Sequence, residues 1–360
     1  MANESLSSTS QGGDKLRYSE VPEPQLPFAP KSYICRRAAG ELELDGRIEK
    51  PFWATAAWTE DFVDIEGHLR PHPAKRTRVK MLWDDDYFYI AAEMEEDEIW
   101  ATLQERDTVI FHDNDFEIFI DPDGDTHLYY ELEVNALNTV WDLLLPKPYR
   151  DGGPPVNGWD IQGLRSAVFI DGELNHPQAD NRRWSVEVAL PWKALKECAP
   201  EGRMPKVGEY WRVNFSRVEW QVEVKDGQYV KLINPDTGNP YPEANWVWSP
   251  QGVINMHYPE MWGFIVFTEA DASESINFTL PRDEIIKWEL RRLYYRQRHH
   301  YASHGHFADD LTRLKVEPSG EEFYPALEAA GRIFLISSPS ADGRHKWYIR
   351  EDGQLWKEPI

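Results

Sequence analysis

Cysteine is scarce in this chain of 360 residues, with Cys35 and Cys198 alone. They lie far apart and show no CxxC or Cys/His spacing, so the usual sequence signature of a zinc site is missing, while one long-range disulfide stays open. Long apolar runs are also missing: no stretch approaches the ~20 residues a membrane helix needs. The first residues, Met1 to Gly13, have no apolar core of a signal peptide. Positive charge is in deficit, with 39 Lys and Arg against 62 Asp and Glu and a net charge of −23. That balance disfavours nucleic acid and anionic membranes as partners, but it does not penalise neutral ligands or cations such as calcium. No Gly-x-Ser-x-Gly elbow, phosphate loop, dinucleotide fingerprint or His-Glu-x-x-His motif occurs, which removes the common nucleophile, nucleotide and zinc-protease readings.

Aromatic residues, by contrast, are abundant: 16 Trp, 16 Tyr and 15 Phe bring them to 13%. Such an excess serves a β core or stacking against flat ligands. Residues 1 to 32 are rich in Ser, Pro, Gly and Glu without an apolar period, and read as a disordered or extended arm. From 33 to 270, short runs with period-two alternation follow one another between Asp/Gly/Pro turn clusters, at 78–84, 86–95, 116–121, 127–135, 139–145, 184–190, 211–219 and 262–267. Long crossover helices are not interleaved with them. The expected fold is therefore mainly β, an antiparallel, jelly-roll-like β-sandwich. The segment 271 to 360 changes character. Arg282 to Tyr301 predicts a helix with the apolar stripe Ile285, Ile286, Leu290, Leu293 and Tyr294, and the runs at 333–337, 346–350 and Leu355-Trp356 predict a small hairpin extension.

Alternation sorts the faces of these strands. Glu117, Phe119 and Asp121 oppose Phe116, Ile118 and Ile120; Tyr129, Glu131, Glu133 and Asn135 oppose Tyr130, Leu132, Val134 and Ala136. Several strands thus share a polar face. A solvated sheet surface would look the same, yet carboxylates and amides beside aromatic rings also suit a sugar, whose hydroxyls need fixed partners and whose C–H face packs on flat rings. Trp141, Trp159, Trp246 and Trp248 are the aromatic candidates, and the run from Asn245 to Gly252 reads as a rim loop. The acidic turn Asp121-Pro122-Asp123-Gly124-Asp125 spaces carboxylates as calcium ligands often are, without the full loop of an EF-hand.

Four blocks resemble carbohydrate-binding module family 9 and occur in its order: Leu44-Asp45-Gly46 with Phe52-Trp53, Val79 to Asp85, Asp113 to Asp121, and Trp184 to Trp192. The resemblance spans roughly residues 33 to 268. It implies a β-sandwich that grips a sugar chain end between two aromatic side chains, with structural calcium ions; no cofactor is required for such binding. By motif position, one aromatic falls at Phe111 or His112, where the family usually carries Trp, and the other at Trp246 or Trp248. Glu117, Asn135 and Arg217 are the implied polar partners, although alternation puts Arg217 on the face opposite Asn214. An oligo- or polysaccharide ligand also implies an extracellular or periplasmic setting.

Two rivals compete with sugar binding. A carbohydrate-active enzyme could draw an acid and a base from Glu117, Glu131, Glu133, Glu187 and Glu260, with His257 beside Glu260 as the sharpest pair. A haem domain could use Met81, Met94, Met256, His257 or Met261, although no spacing singles out an axial pair. The helical pair His300 and His304 permits a metal site, with a solvated aromatic face as the simpler reading.

Overall fold

The computed structural model describes residues 18–315 and 323–360. In chain order the strands are β1 (Ser32–Arg37), β2 (Val63–Asp64), β3 (Thr77–Trp83), β4 (Tyr87–Glu95), β5 (Asp115–Asp121), β6 (Tyr129–Asn135), β7 (Val140–Leu145), β8 (Arg165–Asp171) and β9 (Arg183–Pro191). They continue as β10 (Tyr210–Glu219), β11 (Val222–Lys225), β12 (Gln228–Lys231), β13 (Ala244–Val247), β14 (Gly263–Thr268), β15 (Ala326–Ala329), β16 (Phe334–Pro339), β17 (His345–Arg350) and β18 (Leu355–Pro359). The helices are α1 (Trp192–Leu195) and α2 (Arg282–His304).

A twelve-stranded sheet runs in the order β7-β6-β5-β10-β14-β1-β3-β4-β9-β8, with β13 paired to β10 and β2 to β13. Phe116, Ile118 and Ile120 of β5 and Val213 and Phe215 of β10 share one core with Phe88, Ile90 and Met94 of β4 and Val186, Val188 and Leu190 of β9. Strands from both ends of the path therefore face the same interior, and the sheet curls around it. The protein is mainly β, as the alternation predicts, but the sheet is mixed: β1 pairs in parallel with both β14 and β3. Period-two alternation carries no information on strand direction. A parallel neighbour requires a long connection, and the chain from Arg37 to Thr77 supplies one.

The family-like blocks have a structural reason to occur together. Glu187 of β9 is fully buried; its Oε1 accepts from the Trp53 indole at 2.7 Å, and its Oε2 accepts from Gly46 N at 2.9 Å and Lys50 Nζ at 2.9 Å. One carboxylate thus ties the Asp45-Gly46 turn and the Phe52-Trp53 turn to the Trp184–Pro191 strand. Glu187 is accordingly a strut, which removes it from the candidate acids and bases.

Beyond the sheet, Pro281 precedes α2, and Gly305, at φ +75°, closes it by donating its N–H to Tyr301 O at 2.8 Å. Ile286, Leu290, Leu293 and Tyr294 are buried, whereas Ile285 faces solvent. The expected hairpin is a four-stranded antiparallel sheet, β15-β16-β17-β18. Its first strand, Ala-Leu-Glu-Ala, carries no β-branched residue by which sequence could mark it. Part of the N-terminal arm packs here: Tyr18 and Val21 join the core formed by α2 and this sheet, and Arg298 donates to Ser19 O. Residues 1–17 of the arm lie outside the described residues. Cys35 is buried in the main core and Cys198 is half-buried; both are free thiols, so the disulfide left open by the sequence is not formed.

Candidate functional site

Strand register assembles a row of side chains on the face of β5–β7 that points away from the main core. Glu117 lies opposite Ser216 of β10 and Glu133 of β6, and Glu133 lies opposite Trp141 of β7; the next row holds Phe119, Glu131 and Leu143. Like charges directly across a strand pair are destabilising, so Glu117 beside Glu133 is a costly arrangement for a surface with only structural duties. Loops roof this face and leave a cavity of about 260 Å³, the scale of a monosaccharide unit and below the ~300–1,000 Å³ of sites for larger ligands. Phe111, Trp141 and Tyr149 contribute aromatic walls, Phe119 lies deeper, and Glu117, Glu131, Glu133 and Glu243 bring carboxylates. Asn245, Asn255 and His257 complete the polar lining.

Several polar atoms here have no protein hydrogen-bond partner although they are buried: Glu117 Oε2, Glu131 Oε2, both oxygens of Asp115 and the Trp141 indole N–H. One oxygen of Asp115, Glu117 and Glu133 each lies within 4.8 Å of the others. Burial first, then mutual repulsion, pushes the Asp115, Glu131 and Glu133 carboxyls well above the usual range, and burial raises Glu117 to about 7. Glu133 is held in place by the N–H of Phe111 at 2.9 Å. His257, ringed by Phe119, Tyr129 and Tyr149, is lowered to about 3 by desolvation and by the Arg150 guanidinium, so it is neutral at pH 7. Its Nδ1 lies 2.8 Å from the Tyr129 hydroxyl.

Of the residues nominated from sequence, Phe111, Glu117, Glu133 and Trp141 meet in this cavity, together with Glu131 and His257 from the enzyme reading and Met256, beside His257, from the haem reading. The others do not. Trp248 is 1% exposed, packs on Phe215 in the main core and donates its indole N–H to Glu60 at 3.2 Å. Trp246 is buried in the same core beneath the Arg217 guanidinium, which sits 5.1 Å from its ring. The two tryptophans face the same way, as alternation requires, but that way is inward, so neither offers a platform. Arg217 pairs across the strand with Phe116, a core residue, and its Nη2 donates to Glu96 at 2.6 Å and Glu219 at 2.9 Å. The alternation that set it against Asn214 holds without a bulge.

Asn135 is consumed by its own turn, donating to Leu103 O and Asp113 and accepting from Leu137 N and Thr139 N. His112 is exposed and packs edge-on against Phe111, outside the lining. Trp159 stacks on Tyr130 at 4.9 Å and donates to Glu197. Glu260 turns away towards α2, where Arg150 Nη2 donates to both its oxygens, at 2.8 and 2.9 Å, and Tyr295 donates as well. His257 and Glu260 therefore do not form an acid–base pair in the cavity. Met81 and Met94 are sealed in the main core and Met261 in the core under α2. His300 and His304 stack at 4.1 Å with each Nδ1 at a backbone carbonyl. Sequence reasoning missed Tyr149 and Glu243 as lining residues, because both come from loops whose approach is set by tertiary structure; the Pro148-Tyr149 step, an aromatic in a Pro/Gly-rich loop, is the available signal.

The acidic turn is also assembled. One oxygen each of Asp121, Asp123 and Asp125 falls within 4.8 Å of the others. Asp121 accepts from Gly124 N at 3.0 Å and Thr126 N at 2.9 Å, which leaves further lone pairs on each carboxylate for a cation. A larger cavity of about 770 Å³ lies beside this turn, bordered by Arg212, Glu284, Lys287 and Trp347. Three of its charges are already paired, Arg212 with Glu284 at 2.9 Å and Lys287 with Glu284 at 3.0 Å. The smaller cavity, with its unpaired acceptors, is the better candidate despite its size.

Fold and cavity together define a mainly β protein with an aromatic- and carboxylate-lined pocket. Residues 44–145 match the family model described as carbohydrate family 9 binding domain-like, so the chain carries a family 9-like segment, and Phe111, Glu117, Glu133 and Trp141 all fall within it. Among solved structures the chain is similar to a family 9 carbohydrate binding module from Caldicellulosiruptor kristjanssonii in complex with glucose, at 15% identity over 69% of this chain and 100% of that one, with a TM-score of 0.44. It is similar to the same module in complex with cellotriose at 15% identity over the same shares, with a TM-score of 0.42. A comparison with curated proteins gives no match.

Proposed function

We propose that this protein binds carbohydrate, taking one unit of an oligo- or polysaccharide into the β5–β7 cavity without transforming it. The observation that carries this reading is the pairing of aromatic walls, Phe111, Trp141 and Tyr149, with buried acceptors and an indole donor that the protein itself leaves unpaired. A sugar supplies what both need: a C–H face for the rings and hydroxyls for Glu117, Glu131 and the Trp141 N–H. Burying such polar atoms without a partner costs about 1–3 kcal/mol each, and a ligand that satisfies them recovers that cost. The family 9-like match over the same strands supports the reading. Calorimetry against cello-, xylo- and related oligosaccharides tests it: at least one gives saturable heat, and no heat with any glycan of the panel sinks the proposal.

On this reading Asp121, Asp123 and Asp125 hold a structural calcium, supported by the convergence of their oxygens; the ion would neutralise the turn next to α2. The setting is outside the cytoplasm, where polysaccharides are met. Binding is favoured over catalysis because the sharpest acid–base pair is split, with Glu260 engaged by Arg150.

A further inference from the structure

The lining of the β5–β7 cavity contains four carboxylates, Glu117, Glu131, Glu133 and Glu243, and no lysine or arginine. A pocket for a neutral sugar needs donors as well as acceptors, because each hydroxyl both gives and receives. Here acceptors dominate. The orphaned atoms repeat the bias: two carboxylate oxygens, on Glu117 and Glu131, against one donor, the Trp141 N–H. Both glutamates are at least 95% buried, so their demand for a partner is met from the cavity or not at all. Three aromatic rings stand around them, and an aromatic face attracts a cation through its quadrupole, by about 0.5–2 kcal/mol and most strongly when desolvated.

We infer that the cavity selects a positively charged sugar, an amino sugar whose ammonium group donates to the unpaired oxygens of Glu117 and Glu131 while its ring packs against Trp141 and Tyr149. This rests on the carbohydrate reading and narrows its substrate class. An ammonium offers three donors and no acceptor, and its charge favours the ionised form of Glu117 and Glu131 that burial disfavours in the free protein; the charge-assisted hydrogen bonds so formed are about twice as strong as neutral ones. Acetylating the amine removes the charge and adds bulk, so the N-acetyl form loses the advantage. The net charge of −23 draws a cationic oligosaccharide towards the protein from a distance.

The experiment is calorimetry on the intact protein at pH 7 with three ligands of equal length, a glucosamine oligomer, its N-acetylated form and a cello-oligosaccharide, each with and without added calcium. The glucosamine oligomer is expected to bind at least tenfold tighter than either neutral ligand, and Glu131→Gln to bring that ratio towards one, with circular dichroism confirming the fold. Equal or tighter binding of the cello-oligosaccharide overturns the inference and leaves carbohydrate binding standing. Neutral ligands that bind only with calcium also overturn it, because the carboxylates then serve a metal. Absence of binding by all three overturns the inference, and with a silent wider glycan panel it overturns the carbohydrate reading too. The wild-type ratio decides the question even if Glu131→Gln fails to fold.

Discussion

Among the regions of this molecule that bury acidic side chains, two treat them in opposite ways. Along the seam between the sheet and α2, three buried carboxylates have basic partners: Glu260 with Arg150, Asp151 with Arg298, Glu284 with Arg212 and Lys287. Burial opposes the ionisation of Glu260 and Glu284, but the facing cations outweigh it and hold both below the usual carboxylate range. In the β5–β7 cavity the same residue type is buried without a base, and the carboxyls are pushed upward. The seam uses its charges to fix α2 on the sheet. The cavity keeps the demand of its acceptors open, which costs stability in the free protein and is what a ligand can satisfy.

The largest effect expected from this contrast lies in the seam. Glu260→Ala leaves Arg150 buried without its bidentate partner, and breaking a buried pair costs about 3–5 kcal/mol; urea unfolding should show a loss of that size. A loss below about 1 kcal/mol would mean that the seam charges are not the fastening. The cavity should respond with the opposite sign. Glu117→Gln removes an acid whose folded value is raised to about 7, so at pH 8 the variant should be more stable than the parent by up to about 3 kcal/mol. Destabilisation at pH 8 would show that the parent carboxylate has a partner after all.

The pH dependence follows from the same two signs. A carboxyl raised in the folded state contributes stability that is complete below its unfolded value near 4.3 and lost as pH rises through its folded value, about 7 for Glu117. Glu260 and Glu284, lowered in the folded state, contribute stability present above the unfolded value and lost as pH falls through their folded values. The melting temperature of the free protein should therefore decline from pH 5 to 8 and again below pH 4, and Glu117→Gln should flatten the first decline. A melting temperature that rises steadily to pH 8 would contradict the assignment of the cavity carboxyls. The smallest effect on stability is expected for Trp141→Ala, whose side chain lines the cavity: about tenfold weaker glycan binding with a melting temperature within a few degrees of the parent. Trp248→Ala, in the core, should instead cost about 3–5 kcal/mol.

Much of this contrast was legible in the sequence. The alternation of Phe116-Ile118-Ile120 against Glu117-Phe119-Asp121, and of Tyr130-Leu132-Val134 against Glu131-Glu133, sorts core from cavity face correctly, and Arg217 falls with the core by the same count. What alternation cannot state is which of two faces is inside. Alternation puts Trp246 and Trp248 on one face, and the register of Trp246 with Arg217 turns that face inward. Strand direction was illegible at β1, where parallel pairing depends on a partner strand more than 200 residues later in the chain. Tyr149 and Glu243 reach the cavity on loops, and no local period marks them.

The most direct measurement is a crystal structure of the protein with its tightest-binding oligosaccharide. The account predicts a sugar ring against Trp141 and Tyr149, with an amine or hydroxyl within hydrogen-bonding distance of Glu117 or Glu131. A sugar held instead in the larger cavity beside Asp123 and Trp347, with the β5–β7 carboxylates untouched, would contradict it.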